Sequence, residues 1–202
     1  MKRRTLIIIA ALTLFTGCAT TPKSSYVVPE SLQSKSVSLV KSVILCIKPT
    51  SKTGFAIANS KEPNAYYTNG YVYFTEGMFQ FDDDTLKFVM AHEIAHQKLG
   101  HVQKAQGVSL ATTGAMMIVN VFVPGAGLLN HAINPAVVNN YSKSQEYEAD
   151  REASKACECM GISQERQIEI MRSMKAKLQD AGGFWDRHPS WDERIENIRG
   201  MK

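Results

Sequence analysis

The sequence predicts an α+β fold that is mostly helical and includes a small antiparallel sheet. Several long stretches repeat apolar residues at helical spacing, with capping residues before them or a glycine after them. Short aromatic and β-branched segments flank Asn69-Gly70, a pair typical of hairpin turns because both turn residues need a positive φ. The length of 202 residues and the hydrophobic fraction of 44% suffice for one domain with its own core.

The amino terminus has the pattern of a lipoprotein signal peptide, residues 1–17. Three basic residues precede the apolar run LIIIAALTLF, which is too short for a membrane span. The run ends in L-F-T-G-C, which resembles a bacterial lipobox whose cysteine, here Cys18, carries the lipid, although Phe15 departs from the usual aliphatic residue. An ordinary cleaved signal peptide with an incidental cysteine is the alternative. We predict lipidation at Cys18, and therefore attachment to a membrane.

The charge of the chain lies mainly in this signal peptide. Removing residues 1–17 takes away three basic residues and no acidic ones, which leaves 20 basic and 19 acidic residues. A nearly neutral mature chain argues against a nucleic-acid partner. Ala19, in place of an aspartate after the lipidated cysteine, resembles an outer-membrane sorting signal. We expect a lipid-anchored protein of the bacterial cell envelope, at the outer membrane and facing the periplasm.

The polar residues 18–35 predict a flexible tether, followed by a domain at residues 36–202. V-I-L-C-I at residues 43–47 predicts a strand or a short buried helix. Residues 54–75 predict two or three antiparallel strands, with AYYT and YVYFT on either side of the turn. Three aspartates at residues 82–84 then offer caps and negative charge at the start of a helix expected from about residue 83 to Gly100.

The uncharged stretch within residues 107–138 is long enough to suggest a membrane span. Pro124, Gly125 and Gly127 interrupt it, so we favour a helical hairpin that is buried or partly faces a membrane. Its His131 is not expected to be a ligand. Beyond this stretch, the sequence predicts a helix ended by Gly161, a second from Ser163 to about Asp180, and a last helix opened by the capping box S-W-D-E at 190–193.

Besides Cys18, the mature chain contains three cysteines: Cys46, Cys157 and Cys159. An oxidising envelope permits one disulfide and leaves one thiol. On a helix, the side chains of Cys157 and Cys159 point about 200° apart, so they do not face each other. The sequence leaves open whether either of them pairs with Cys46.

Residues 92–96, H-E-I-A-H, lie on the helix that begins near residue 83. Residues four apart share a helix face, so His92 and His96 can each direct one nitrogen at a common zinc ion. Glu93 follows the first ligand and can take a proton from a zinc-bound water as it attacks a carbonyl carbon. Two solvent-facing histidines are the alternative. In a continuous helix His101 is turned about 140° from His96, so we interpret it as a helix-end histidine and not as a ligand.

A catalytic zinc needs a third protein ligand, and E-Y-E-A-D at residues 146–150 supplies a candidate on a second helix. Together with H-E-I-A-H it resembles the M48 family of zinc metallopeptidases. The resemblance implies that Glu146 is the third zinc ligand and that Asp150 accepts a hydrogen bond from a ligand histidine. Glu148, between them, is expected to be an exposed helix charge. The implied fold is a zincin-like metallopeptidase domain whose small sheet borders the active-site cleft.

Two further segments resemble the same family. P-N-A-Y-Y-T-N-G-Y-V-Y-F-T-E-G implies that Asn64 and Ala65 begin a strand that binds substrate by strand addition, and an aromatic core hairpin is the alternative. R-H-P-S-W-D-E-R-I implies that His188 approaches the zinc, where it blocks the ion or polarises the substrate carbonyl. A loop histidine with a purely structural role is the alternative there. Arg194 is expected to anchor the last helix.

These features predict a zinc-dependent endopeptidase with one Zn²⁺ per chain, with Glu93 and His188 as its catalytic residues. Its expected substrates are unfolded or misassembled envelope proteins, taken directly or through an envelope assembly partner. A chaperone-like or scaffold module that holds zinc in a gated or closed site is the first alternative. The second is a membrane-integrated peptidase, if the uncharged stretch crosses a bilayer.

Overall fold

A computed structural model describes residues 27–68, 70–101, 117–123, 127–133, 141–178 and 190–201. The predicted α+β class is confirmed. The helices are α1 (Glu30–Ile47), α2 (Asp83–Lys98), α3 (Lys143–Cys159), α4 (Gln164–Leu178) and α5 (Trp191–Arg199). The strands are β1 (Gly54–Ala58), β2 (Ala65–Thr68), β3 (Tyr71–Thr75), β4 (Met117–Val123) and β5 (Gly127–Ile133), and a 3-10 turn spans Glu76–Gln80.

The strands form one sheet in the order β2-β3-β1-β4-β5. The predicted hairpin is present: β2 and β3 are antiparallel, and Gly70 in the turn has φ +85°. β1 and β3 are parallel, so the sheet is mixed rather than wholly antiparallel. The hairpin pattern specifies only the pairing of β2 with β3. After β1 the chain passes to the edge of the sheet, where β2 lies. β3 then returns between β2 and β1 and runs parallel to β1.

The described residues of the uncharged stretch, 117–123 and 127–133, form strands where a helical hairpin was expected, and that prediction was wrong. β4 and β5 are antiparallel, and β4 also pairs with β1 inside the sheet. The run M-I-V-N-V-F-V is rich in β-branched residues, which favour strands, and an inner strand reads as a continuous apolar run. Within the described ranges, no helix is both long enough and apolar enough to cross a membrane.

α1 begins at Glu30, so the flexible tether expected up to residue 35 ends earlier. Pro29 occupies the N-cap, and the Gln33 side-chain amide donates to the Val28 carbonyl at 2.8 Å. Leu39 and Val43 are buried against the core and hold the helix in place. For residues 43–47 the helical alternative was therefore the right one. Residues 18–26 lie outside the described residues.

α2 runs through the centre of the molecule, where α1, α3, α4 and β2 pack on it. Asp82 caps it by accepting the Thr85 N–H at 2.8 Å. Nearly every residue from Leu86 to His96 is buried, because neighbours cover the helix on several sides. The predicted helix is thus confirmed, and its polar residues His92, Glu93 and His96 lie inside the protein.

A disulfide joins Cys46 in α1 to Cys159 at the end of α3, with their Cα atoms 5.7 Å apart. Cys157 is a buried free thiol, and burial raises its pKa to about 12. Cys157 and Cys159 therefore do not pair with each other, as the helical spacing predicts. The pairing with Cys46, which the sequence left open, connects the first and third helices.

Candidate metal centre

Three buried side chains meet between α2 and α3. His92 and His96 project from successive turns of α2, and their Nε2 atoms are 3.1 Å apart. Glu146, in the first turn of α3, places Oε2 3.3 Å from His92 Nε2 and Oε1 3.5 Å from His96 Nε2. Each of the three residues is at most 3% exposed. The side chains that the sequence singled out as ligands thus converge on one point.

The spacing of these donors fits a metal ion. Tetrahedral bonds of about 2.0–2.2 Å, as zinc makes to imidazole nitrogen and carboxylate oxygen, put ligand atoms about 3.3 Å apart. The three observed separations, from 3.1 to 3.5 Å, bracket that value. Two imidazoles and a carboxylate also form a donor set that suits zinc. The group could therefore hold a metal ion.

Glu93 lies beside these donors and is 1% exposed. Neither of its carboxylate oxygens makes a hydrogen bond in the described part of the chain. Burial raises the pKa of Glu93 to about 8 and the Glu146 charge adds to this, while His92, Arg194 and the Tyr67 backbone N–H lower it. A buried carboxylate with no hydrogen bond is costly, which indicates that Glu93 serves a bound group.

A buried ion pair orients His92. Its Nδ1 lies 3.0 Å from Asp150 Oδ1, so the contact expected of Asp150 is present. Arg194 of α5 donates to both Asp150 oxygens, at 2.8 and 2.6 Å. Burial raises the pKa of Asp150, but Arg194 and His92 hold it below its ordinary value. A carboxylate only accepts, so His92 Nδ1 carries the proton and its Nε2 offers the lone pair to a metal.

Protonation of His92 competes with metal binding. Burial and the Arg194 charge lower the pKa of His92, but its hydrogen bonds with Asp150 and Glu146 outweigh them and raise it to about 9. At neutral pH the metal-free imidazole is therefore charged, and a metal ion must displace a proton to bind it. Metal affinity should accordingly fall as the pH is lowered.

His96 has partners on its other nitrogen and on its ring face. Its Nδ1 lies 3.1 Å from His101 Nδ1, and His101 Nε2 lies 3.1 Å from Glu148 Oε2. Tyr141 stacks on the His96 ring with centroids 3.6 Å apart. His101 returns to His96 because Gly100, at φ +72°, ends the helix before it. The expected 140° rotation assumed a continuous helix. Glu148 is partly exposed, as predicted, but it also contacts His101.

Sequence comparison assigns this arrangement to a family. The sequence profile of peptidase family M48 matches residues 31–202. The chain belongs to family M48. It is also similar to the metalloprotease LoiP of Escherichia coli (strain K12), with 27% identity over 158 residues. That match covers 72% of this chain and 61% of LoiP, so the chain spans about three-fifths of the length of the curated relative.

In this M48 chain, the residues expected to bind substrate lie at the sheet edge next to α2. Asn64 precedes β2; its backbone N–H donates to Thr75 Oγ1 at 2.9 Å, and its carbonyl accepts the Thr75 N–H at 3.0 Å. The Asn64 side-chain oxygen is buried and has no hydrogen-bond partner among the described residues. Ala65 is fully buried, so only its backbone could contact a substrate.

Two of the predicted functional residues, His188 and Cys18, lie outside the described residues. Their roles as a catalytic or gating histidine and as the lipidation site stay predictions. The signal peptide, residues 1–17, is outside the described ranges as well.

Three contacts at the M48 centre were not foreseen. Arg194 was expected to anchor α5, yet it also donates to Asp150, and its place near the end of R-H-P-S-W-D-E-R-I was a usable signal. Tyr141 and His101 had no such signal. Tyr141 lies in a segment with no periodic pattern, and the approach of His101 depends on the backbone turn at Gly100.

Proposed function

We propose that this protein is a zinc-dependent endopeptidase of the bacterial envelope. The observation that carries the proposal is the buried triangle of His92, His96 and Glu146, with the Glu93 carboxylate beside it and without a hydrogen bond. Membership of family M48 and the similarity to a metalloprotease support it. A purely structural metal site has no use for a carboxylate in that position.

The mechanism divides between the ion and the protein. Zn²⁺ held by His92, His96 and Glu146 would act as a Lewis acid on a peptide carbonyl and make water acidic near neutral pH. Glu93 takes a proton from the attacking water and later delivers it to the leaving amine. Its pKa of about 8 in the metal-free site means that the carboxyl is largely protonated there at neutral pH. A nearby cation favours the ionised form, which is the form needed to accept the proton.

The edge of the sheet supplies a place for an extended peptide. β2 is the last strand on its side of the sheet as described, and α2 packs beside it. Because Asn64 exchanges its hydrogen bonds with Thr75, the backbone groups of the next residue, Ala65, point away from β3. A substrate strand added at this edge would bond to Ala65, and the buried Asn64 side-chain oxygen is available to accept a substrate N–H.

The substrates that we propose are unfolded or misassembled envelope proteins. Strand addition requires an extended chain, which folded proteins rarely offer. The disulfide between Cys46 and Cys159 is compatible with an oxidising compartment, as is the predicted lipoprotein signal. We place the protein at the outer membrane, anchored through Cys18 and facing the periplasm, with or without an assembly partner that delivers substrates.

The experiment that tests this proposal measures zinc content and casein cleavage together on the full-length chain in detergent. We expect the wild type to hold one zinc ion and to cleave. Glu93→Gln should keep the zinc and lose at least 99% of the activity, about 100-fold, because the general base is gone. His96→Ala should lose the zinc as well. A Glu93→Gln chain that cleaves at the wild-type rate would refute the mechanism.

The same assay separates the zinc-holding chaperone from the peptidase. If His188 closes the site as a fourth ligand, His188→Ala should cleave casein while the wild type does not. If His188 assists catalysis, the variant should be slower than the wild type. Full zinc content without cleavage by either protein would favour the chaperone-like module.

A further inference from the structure

The two candidate ligand histidines are held in different ways. His92 Nδ1 contacts a buried carboxylate, Asp150, which Arg194 fixes through two hydrogen bonds. His96 Nδ1 contacts another imidazole, His101, at 3.1 Å. Metal-binding histidines usually donate their second N–H to a carboxylate or a carbonyl, so an imidazole in that place needs an explanation.

We propose that His101 and Glu148 are positioning residues that hold His96 in the tautomer and orientation required for the metal. The inference rests on the proposed metal site, since it assigns His96 as a ligand. The contacts form one continuous line from the site to the surface. His96 Nδ1 meets His101 Nδ1, and His101 Nε2 meets Glu148 Oε2, each at 3.1 Å.

The direction of every hydrogen bond in this line follows from its outer end. An ionised carboxylate only accepts, so His101 Nε2 must carry a hydrogen and donate it to Glu148. A neutral His101 then has an acceptor at Nδ1, which takes the hydrogen from His96 Nδ1. His96 Nε2 is left with its lone pair directed at His92 and Glu146, where the metal would lie. Glu148 thereby selects the tautomer of His96 through His101.

The burial of the two residues suits these roles. His101 is 2% exposed, so its ring has no access to water as an alternative partner. The Glu148 side chain is 47% exposed and stands at the outer end of the line. Tyr141 stacks against His96 and contacts the His101 ring at a centroid distance of 6.2 Å, which restricts movement of both imidazoles.

The backbone brings these residues together in a way that a regular helix cannot. Gly100 has φ +72°, a conformation that glycine adopts readily and that departs from the regular helix after α2. His101 is therefore directed back at His96. On α3, Glu146 and Glu148 are two residues apart, so one faces the metal site and the other faces His101 from the rim.

The test measures the dissociation constant for Zn²⁺ of the full-length chain, by competition with a chromophoric chelator. His101→Ala should weaken zinc binding about 10- to 100-fold, the usual effect of removing the partner of a ligand histidine. Glu148→Ala should weaken it in the same direction and by no more than His101→Ala. Glu148→Gln, which still offers an acceptor oxygen but no charge, should restore most of the affinity. Glu158→Ala, also exposed and on α3, is the matched control and should bind like the wild type.

Two further readouts separate positioning from a general loss of structure. The visible absorption of bound Co²⁺ reports ligand geometry, and it should change in His101→Ala and Glu148→Ala but not in Glu158→Ala. In the His101→Ala background, adding Glu148→Ala should change the dissociation constant by less than about twofold, because Glu148 acts only through His101. If His101→Ala does not fold, the exposed Glu148 variants carry the test.

The inference is overturned if Glu148→Ala binds zinc as the wild type does. It is also overturned if Glu148→Gln binds as weakly as Glu148→Ala, since charge alone would then explain the loss. A wild-type chain that binds no zinc overturns both this inference and the proposed function. Zinc binding without cleavage by either the wild type or His188→Ala overturns the proposed peptidase alone, because the positioning effect is measured by affinity.

Discussion

Among the described residues, Arg194 is the largest side chain that is fully buried, and its guanidinium contacts the metal site rather than solvent. It neutralises Asp150, and Asp150 in turn fixes His92. Desolvating both charges is costly, and the two hydrogen bonds at 2.8 and 2.6 Å offset that cost only while both partners are present. The stability of the domain is therefore linked to the orientation of a ligand.

Replacing Arg194 by alanine should lower the free energy of unfolding by about 3–5 kcal/mol, because the buried Asp150 would lose both hydrogen bonds from the guanidinium and keep only His92 as a partner. Urea unfolding of the metal-free chain measures this. The free energy of unfolding of Arg194→Lys should lie between those of the wild type and Arg194→Ala, since lysine keeps the charge but cannot make both hydrogen bonds to Asp150. Arg199→Ala removes an exposed arginine from the same helix and should cost less than about 1 kcal/mol. Equal losses for the two alanine variants would contradict the assigned role.

The candidate ligand set of the site could be predicted because it depends on short-range spacing. His92 and His96 share a face of any helix, and Glu146 is paired with them by a motif on another helix. The contacts of His101 and Tyr141 could not be predicted in the same way. They depend on a single glycine torsion and on the position of Tyr141 against the His96 ring, and neither leaves a periodic trace in the sequence.

At the level of the elements, α2 carries both histidines and Glu93, so its first turn affects the whole site. Asp82 accepts a hydrogen bond from the Thr85 N–H. Its other carboxylate oxygen, Oδ2, accepts one from Arg166 Nη2 of α4 at 2.6 Å. Burial raises the pKa of Asp82, but the Thr85 and Arg166 hydrogen bonds outweigh it and keep the pKa below its ordinary value. The cap thus also connects α2 to α4.

Asp82→Ala should lower the free energy of unfolding by about 1 kcal/mol, mainly through the lost cap. Asp82→Asn should recover most of this, because asparagine caps helices as well as aspartate does but cannot pair with Arg166 as an anion. Thermal unfolding of both variants provides the measurement. If the asparagine variant were as unstable as the alanine variant, the ion pair and not the cap would be the main contribution.

The sequence predicted the elements whose signals are local. α2, α3 and the β2–β3 hairpin each have caps, periodicity or a turn pair, and they occur where expected. β4 and β5 were missed because an uncharged run suits a buried helix or an inner strand equally, and only pairing with β1 decides between them. The parallel pairing of β1 with β3 likewise depends on the route of the chain.

At the scale of the whole molecule, α3 is held against other helices near both of its ends. Near its start, Glu146 lies against the two histidines of α2. At its last residue, Cys159 is bonded to Cys46 of α1. The disulfide closes a loop with a sequence separation of 113 residues, which includes all three candidate ligands.

The double variant Cys46→Ser/Cys159→Ser should lower the free energy of unfolding by about 2–5 kcal/mol, because a long loop is no longer closed in the unfolded chain. Equilibrium unfolding without reductant measures the loss. Cys157→Ala is the matched control and should retain the disulfide, which peptide mapping by mass spectrometry can verify. A map that shows Cys46 bonded to Cys157 would contradict this arrangement.

The same bond has a consequence for a chain that cuts itself. A single cleavage anywhere between Cys46 and Cys159 yields two fragments that remain covalently joined. For a cut between α2 and α3, one fragment contains His92 and His96 while the other contains Glu146. Such a nicked enzyme keeps its complete ligand set and migrates as one species until a reductant separates the pieces. A single full-length band on a gel run without reductant therefore does not show that the backbone is uncleaved.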